Sequence, residues 1–281
     1  MKDSKEKKRS DKQKFNQVIK NIKSIKIQGA TNVAREAAKA YFLIPSNKSK
    51  RILINSRPTE PMMEHVLNLA ESGEPLKKIL DHFKDSQDKI NSLVIKKIKN
   101  NDEIFTHCHS STVTKALIYS KQEGKKFQVY NTETRPLYQG RKTARELQKA
   151  GIKVTMLTDS AMGSALTKGK ETGLEKIDII FLGADALLKD GIINKIGSEL
   201  VAHLAKEEKI LLYILADSWK FTTKKTPIEQ RSLNEVWNKA PKNIKIKNPA
   251  FEFVPKKYIT KIITELGEMS YSDFVKNCKK R

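Results

Sequence analysis

Cysteine, aromatic rings, long apolar runs and acidic charge are all scarce in this 281-residue chain, and each shortage excludes something. The two cysteines, Cys108 and Cys278, lie 170 positions apart and make no disulfide framework. A reducing, cytoplasmic setting is therefore expected. The longest uninterrupted apolar run, Ile210 to Ala216, has seven residues. A spanning helix needs about 18, so no membrane role is expected. The start, Met1-Lys2-Asp3-Ser4-Lys5, opens no apolar stretch, and no signal peptide is expected either. With 38% hydrophobic and 31% charged residues, the chain is too apolar for disorder and too polar for a membrane protein.

Acidic residues number 32 against 55 basic ones, which leaves a formal net charge of +23. The excess is uneven: residues 1–50 carry net +10, whereas residues 151–200 carry net −1. Lys5, Lys7, Lys8 and Arg9 at the start suggest a nucleic-acid surface. Against that, no aromatic residues interleave with the basic run as stacking platforms would. Basic residues are also 46 Lys to 9 Arg, a compositional bias that a solvated exterior explains. Nucleic acid is not the expected partner. A phosphorylated substrate needs only a few such charges, placed well.

The pattern along the chain predicts two domains: a helical N-terminal domain over 1–100 and a Rossmann-like parallel-sheet C-terminal domain over 101–281. After a polar first dozen residues, Phe15, Val18, Ile19, Ile22 and Ile25 keep a helical period, and Val33 to Phe42 is Ala-rich. Thr59-Glu60-Pro61 reads as an N-cap followed by a first-turn proline, and Pro75 begins another helix. The texture then changes to short apolar runs: Ile104-Phe105, Phe127 to Tyr130, Val154 to Leu157, Ile177 to Leu182 and Leu211 to Leu215. Helical stretches separate them, at Thr112 to Gln122, Lys142 to Lys149 and Gly197 to Lys206. Such alternation implies right-handed crossovers and a parallel sheet. Ile259 to Ile263 adds a last strand and Ser270 to Cys278 a closing helix.

Ligands of such sheets sit outside the carboxyl ends of the strands. Every predicted strand here runs into polar, chemically capable residues. The first is followed by Thr106-His107-Cys108-His109-Ser110-Ser111, the second by Thr132-Glu133-Thr134-Arg135-Pro136 and the third by Asp159-Ser160. The fourth runs into Gly183-Ala184-Asp185 and the fifth into Asp217-Ser218-Trp219-Lys220. Five such loops on one edge outline a site.

The stretches Ile27-Gln28-Gly29-Ala30, Ser56-Arg57-Pro58-Thr59 and Thr106-His107-Cys108-His109-Ser110 begin an ordered set. Thr132-Glu133-Thr134-Arg135-Pro136, Gln139-Gly140, Gly183-Ala184-Asp185, Ile193-Asn194-Lys195-Ile196-Gly197, Lys220-Phe221 and Asn248-Pro249-Ala250-Phe251 continue it. In this order the set resembles the archaeal ribose-1,5-bisphosphate isomerases. Their relatives are the methylthioribose-1-phosphate isomerases and the regulatory subunits of translation initiation factor 2B. The resemblance covers nearly the whole chain. The enzymes have cysteine after the first-loop histidine and aspartate after the fourth-loop Gly-Ala, and this chain has Cys108 and Asp185 there. The resemblance therefore implies an aldose–ketose isomerase that converts ribose 1,5-bisphosphate to ribulose 1,5-bisphosphate in nucleoside monophosphate salvage. It also implies a homo-oligomer, dimer or hexamer. The alternative is a non-catalytic regulatory subunit of the initiation-factor type.

The residues have chemistry of their own. Cys108 is expected on a strand-to-helix turn, where backbone amides would lower its pKa from about 8.5 into the range of roughly 3.5–7.5. His107 and His109 would add positive charge when protonated. The alternative is a small buried thiol. Asp185, the proton donor that the resemblance implies, would otherwise cap the next helix. Asn194 and Lys195 are expected to orient hydroxyls and offset charge, with Lys220 a second cation. Two phosphates need two cradles. Gly29, Ala30 and Thr31 at a helix start, with Arg57, form one; Ser110, Ser111 and Thr112 form the other. The bisphosphate isomerases read Arg-Gly-Ala-Gly where this chain reads Gln28-Gly29-Ala30-Thr31, so a cation is missing and Thr31 adds a Cβ. A zinc site is not expected, because His107-Cys108-His109 has no second ligand cluster and alternates in direction if extended. No Gly-x-Ser-x-Gly elbow and no dinucleotide loop are present, so no cofactor is expected.

Overall fold

The computed structural model describes residues 2–167, 171 and 173–280. They form two compact units, one of residues 1–85 with 219–227 and one of residues 86–218 with 228–281. The class is mixed α/β, with helices first and a mostly parallel sheet after them.

The first unit is helical: α1 (Lys2–Lys23), α2 (Ala30–Leu43), α3 (Asn47–Ser56), α4 (Pro61–Glu71) and the opening turns of α5 (Leu76–Val94). Helix α1 starts ahead of Phe15, where the apolar period begins, and takes in Lys2 to Lys14 as well. On α2, Ala34, Ala37 and Ala38 are fully buried, and such small side chains let α2 lie close against α4. Phe15, Ile22, Leu53, Met62, Leu67 and Ile79 complete this core. The cap of α4 is Glu60, and proline follows it in the first turn as expected.

The second unit contains β1 (Asp102–Thr106), α6 (Ser111–Gln122), β2 (Phe127–Thr132), α7 (Gln139–Lys149), β3 (Lys153–Leu157), α8 (Met162–Thr167) and β4 (Ile179–Leu182). There follow β5 (Ala186–Leu188), β6 (Gly191–Lys195), α9 (Ser198–Glu207), β7 (Leu211–Leu215), β8 (Phe251–Pro255), β9 (Lys261–Thr264), β10 (Gly267–Met269) and α10 (Tyr271–Lys279). Seven strands make one sheet in the order β10-β9-β7-β4-β1-β2-β3, parallel except for the β9–β10 hairpin. Each strand that the apolar runs predict lies in this sheet.

The chain begins this sheet in its interior, at β1, the third strand from one edge. It moves outward through β2 and β3, then returns to place β4 on the other side of β1. The order therefore reverses between β1 and β4, the position where such sheets open a crevice for ligands. A second sheet, β5-β6-β8, is antiparallel and carries Asn194 and Lys195 on β6. Its strands coincide with none of the apolar runs from which strands are predicted. It also corrects one alternative for Asp185. A strand follows this aspartate, so it caps no helix.

Candidate active site

Cys108 sits just past the end of β1, in the left-handed backbone region at φ 65°. For a residue with a Cβ this conformation is uncommon and has to be held in place. Two threonines hold it. The Cys108 amide donates to Thr134 Oγ1 at 3.1 Å, and the Thr143 hydroxyl donates to the Cys108 carbonyl at 2.9 Å. Thr134 is left-handed too, at φ 61°. The carboxylate of Asp159, after β3, accepts from the Thr134 amide at 2.8 Å and the Arg135 amide at 2.6 Å. The ends of β1, β2 and β3 are thereby tied into one frame around the sulfur.

The segment is thus not extended, which removes the alternation argument against a metal. Cys108 is buried, and burial pushes its thiol up to about 11, opposite to the lowering expected. The positive charge of Lys195 and the His109 amide pull it down. Asp185 and Asp159 push it up with the burial, and desolvation is the largest of these effects. At rest the sulfur carries its proton. The two histidines do not supply positive charge either. His107 is buried and shifted down by desolvation, and His109 is pushed down to about 4 by burial, helped by the charge of Lys142.

Asp185 follows β4 in the next loop across the reversal, and its amide donates to the Ile193 carbonyl at 2.9 Å. The closeness of the β1 and β4 loops shows at Gly183. A Cβ added there would lie 2.5 Å from Ser110 Oγ. Ser110 is the N-cap of α6, its hydroxyl accepting from the Val113 amide at 3.4 Å, with Ser111 and the buried Thr112 in the first turn. On β6, Asn194 donates to Ser198 Oγ at 2.8 Å, and that hydroxyl donates to the Lys195 carbonyl at 2.6 Å. Lys195 is buried, its ammonium 4.9 Å from the centre of the Phe251 ring. Cys108, Ser110, Asp185, Asn194 and Lys195 thus all belong to the sheet unit, around the carboxyl ends of its strands.

The profile of the Initiation factor 2 subunit family matches residues 4–271. The chain belongs to this family. The ribose 1,5-bisphosphate isomerase of Methanocaldococcus jannaschii is 34% identical over 284 aligned residues, covering 89% of this chain and 90% of the relative. That of Archaeoglobus fulgidus is 31% identical, covering 91% and 90%. Among solved structures, translation initiation factor eIF-2B of Pyrococcus horikoshii superposes with a TM-score of 0.80 at 26% identity. That match covers 91% of this chain and 96% of the other.

The remaining expected site residues of this Initiation factor 2 family member lie in the helical unit. Gly29 is the N-cap of α2 at φ 82°, without a side-chain cap bond, and an added Cβ would meet nothing within 4 Å. Gln28 is exposed, Ala30 buried and Thr31 half-buried. Arg57 ends α3, is buried, and pairs with Glu60 Oε1 at 3.3 Å. Lys220 is buried in a short 3-10 turn whose neighbour Trp219 stacks on His82 with ring centroids 3.4 Å apart. The frame residues Thr134 and Asp159 were visible in sequence as strand-end polar residues, without a role. Thr143, in the middle of a helix, gave no signal.

Proposed function

We propose that this protein is a sugar-phosphate isomerase that converts ribose 1,5-bisphosphate to ribulose 1,5-bisphosphate in nucleoside monophosphate salvage, as a cytoplasmic homo-oligomer. The observation that carries the reading is the pair Cys108 and Asp185 on the two loops flanking the strand-order reversal, with a buried Lys195 beside them. Relatives named ribose 1,5-bisphosphate isomerase, matched over about nine-tenths of the chain, support the substrate.

The reaction moves hydrogen within one molecule and needs no external oxidant. The bond between the anomeric carbon and the ring oxygen breaks, and that oxygen takes a proton. The hydrogen on the second carbon passes to the first, and the hydroxyl on the second carbon loses its proton to become the ketone. One proton is given and one taken, which a thiol and a carboxylate accomplish between them. Lys195 offsets negative charge that develops on oxygen. Ser110, Ser111 and Thr112 present amides and hydroxyls at the start of α6 to one phosphate. Asn194 orients sugar hydroxyls from β6, and the helical unit has an anion cradle of its own in the amides of Gly29 to Thr31, the guanidinium of Arg57 and the ammonium of Lys220.

The initiation-factor reading rests on the structural likeness to eIF-2B. It gives no account of a buried cysteine framed by two threonines. Purified protein is assayed on ribose 1,5-bisphosphate, methylthioribose 1-phosphate and ribose 5-phosphate, beside capture of initiation-factor subunits. Turnover of the bisphosphate well above the monophosphates is expected. Absent turnover on all three, with capture of initiation-factor subunits, would overturn the proposal.

A further inference from the structure

His107 takes no part in the proton transfers above, yet both of its ring nitrogens are hydrogen-bonded. It is 2% exposed and, with its pKa lowered, neutral. Its Nε2 lies 2.8 Å from the Ile196 carbonyl, which can only accept, so Nε2 carries the proton. Nδ1 then accepts from the Thr132 hydroxyl at 2.5 Å. One ring therefore fastens three segments: the end of β1 just before Cys108, the end of β2, and the turn that leaves β6 just after Lys195. That turn is packed against the ring, since a Cβ on Gly197 would lie 2.9 Å from Nε2.

Lys195 has few ways to shift. Its ammonium is buried over Phe251, and its carbonyl is held by Ser198. The neighbouring Ile196 carbonyl, bonded to His107, ties this segment directly to the end of β1, beside the bond from the Asp185 amide to the Ile193 carbonyl. The charges that bear on the Cys108 sulfur are Lys195 from β6, Asp185 after β4 and Asp159 after β3, together with the His109 amide. Lys195 is the one cation among them.

We propose that His107 is a positioning residue, which holds Lys195 in register with Cys108 so that the lysine charge bears on the sulfur. The proposal deepens the isomerase reading and rests on it only where turnover is measured. If His107 merely filled space, its loss would loosen the loop and make the sulfur more reactive. If it positions Lys195, its loss makes the sulfur less reactive. The two roles differ in sign.

The test uses a Cys278→Ser background, in which Cys108 is the only thiol, and reads iodoacetamide alkylation at about pH 8.5. His107→Leu removes both ring bonds. His107→Asn keeps a polar group near Thr132 but falls short of Ile196, and His107→Gln reaches Ile196 with a donor. Slowing of about tenfold is expected for His107→Leu, His107→Asn and Lys195→Met, the change that one pKa unit carries. Combining His107→Asn with Lys195→Met should slow alkylation no further than either alone, and His107→Gln should recover part of the rate. In turnover, His107→Asn should lower kcat while moving KM little. Faster alkylation in the histidine variants, or losses that simply multiply, would overturn the proposal. Should His107→Leu fail to fold, the His107→Asn cycle decides alone. If the wild type turns over no sugar phosphate while the alkylation cycle behaves as expected, the isomerase reading falls and the positioning role stands.

Discussion

Cys108 combines a left-handed backbone with a buried sulfur, each costly by itself. A left-handed residue with a Cβ costs about 1–2 kcal/mol, and its persistence under two threonine hydrogen bonds is what a site residue held for its chemistry requires. Cys108→Ser should abolish turnover and leave substrate binding within a few fold, because the hydroxyl packs alike but loses its proton far less readily. Wild-type kcat in that variant would remove Cys108 from the mechanism. Asp185→Asn keeps shape and hydrogen bonding but cannot exchange a proton, and should lower kcat by about 10² or more. Because a strand follows Asp185, helix capping does not confuse that result. His109 gives a third prediction. Its folded pKa near 4 lies below the ordinary 6.5, so the unfolded chain takes up the proton first. Its contribution is intact above pH 6.5, and stability is lost as pH falls from there towards 4, by about 3 kcal/mol. Raised Asp102, Glu103 and Glu252 act in the opposite sense, so the quantity to measure is the difference in Tm between wild type and His109→Gln from pH 7 to pH 4. A constant difference across that range would refute it.

The elements bring their loops together by order rather than by length. Because β1 and β4 are adjacent and parallel, their carboxyl-end loops meet, and Gly183 is the point of closest approach. Gly183→Ala would push a methyl into Ser110 Oγ, costing the α6 cap about 1 kcal/mol and displacing the first-turn amides. A fall in Tm of a few degrees with a larger fall in kcat/KM is expected; an unchanged kcat/KM would show that the α6 start does not touch substrate. This also explains what was legible in the sequence. The parallel strands were readable from their short apolar runs, which are continuous and buried on both faces in the central β4 and nearly so in β7, and weakest in the edge strand β3. Their polar termini were readable because the ends of buried strands have no other reason to carry five chemically capable loops. Asn194 and Lys195 were found through family wording alone, since no predicted strand covers β5 or β6. The sign of the Cys108 shift was not legible: backbone amides and a lysine are present as expected, but burial outweighs them, and burial is a property of the assembled loops. Thr143 shows the same gap, one threonine on α7 whose hydroxyl acquires its role only when α7 comes to rest beside Cys108.

Over the whole molecule, the net charge of +23 should act on any substrate that bears two phosphates. A bisphosphate is steered more strongly than a monophosphate, so its kcat/KM should fall more steeply with added salt. The phosphate loop of the helical unit sharpens this expectation. Gln28 is exposed at the start of α2, next to first-turn amides that no side chain caps, and the isomerases it resembles have arginine there. If this turn holds a phosphate, Gln28→Arg adds a charge-assisted hydrogen bond of about 1.5–3 kcal/mol, enough to tighten binding more than tenfold. An exposed arginine is screened, so the gain should shrink as ionic strength rises, faster than the affinity of the unaltered protein declines. The measurement is binding of ribose 1,5-bisphosphate and of ribose 5-phosphate to both proteins at low and high salt. A gain confined to the bisphosphate assigns the turn to the phosphate on the anomeric carbon, whereas equal gains assign it to the phosphate that the two ligands share. Unchanged affinities for both ligands would take the α2 turn out of the site and leave the α6 start as the phosphate cradle of the sheet unit.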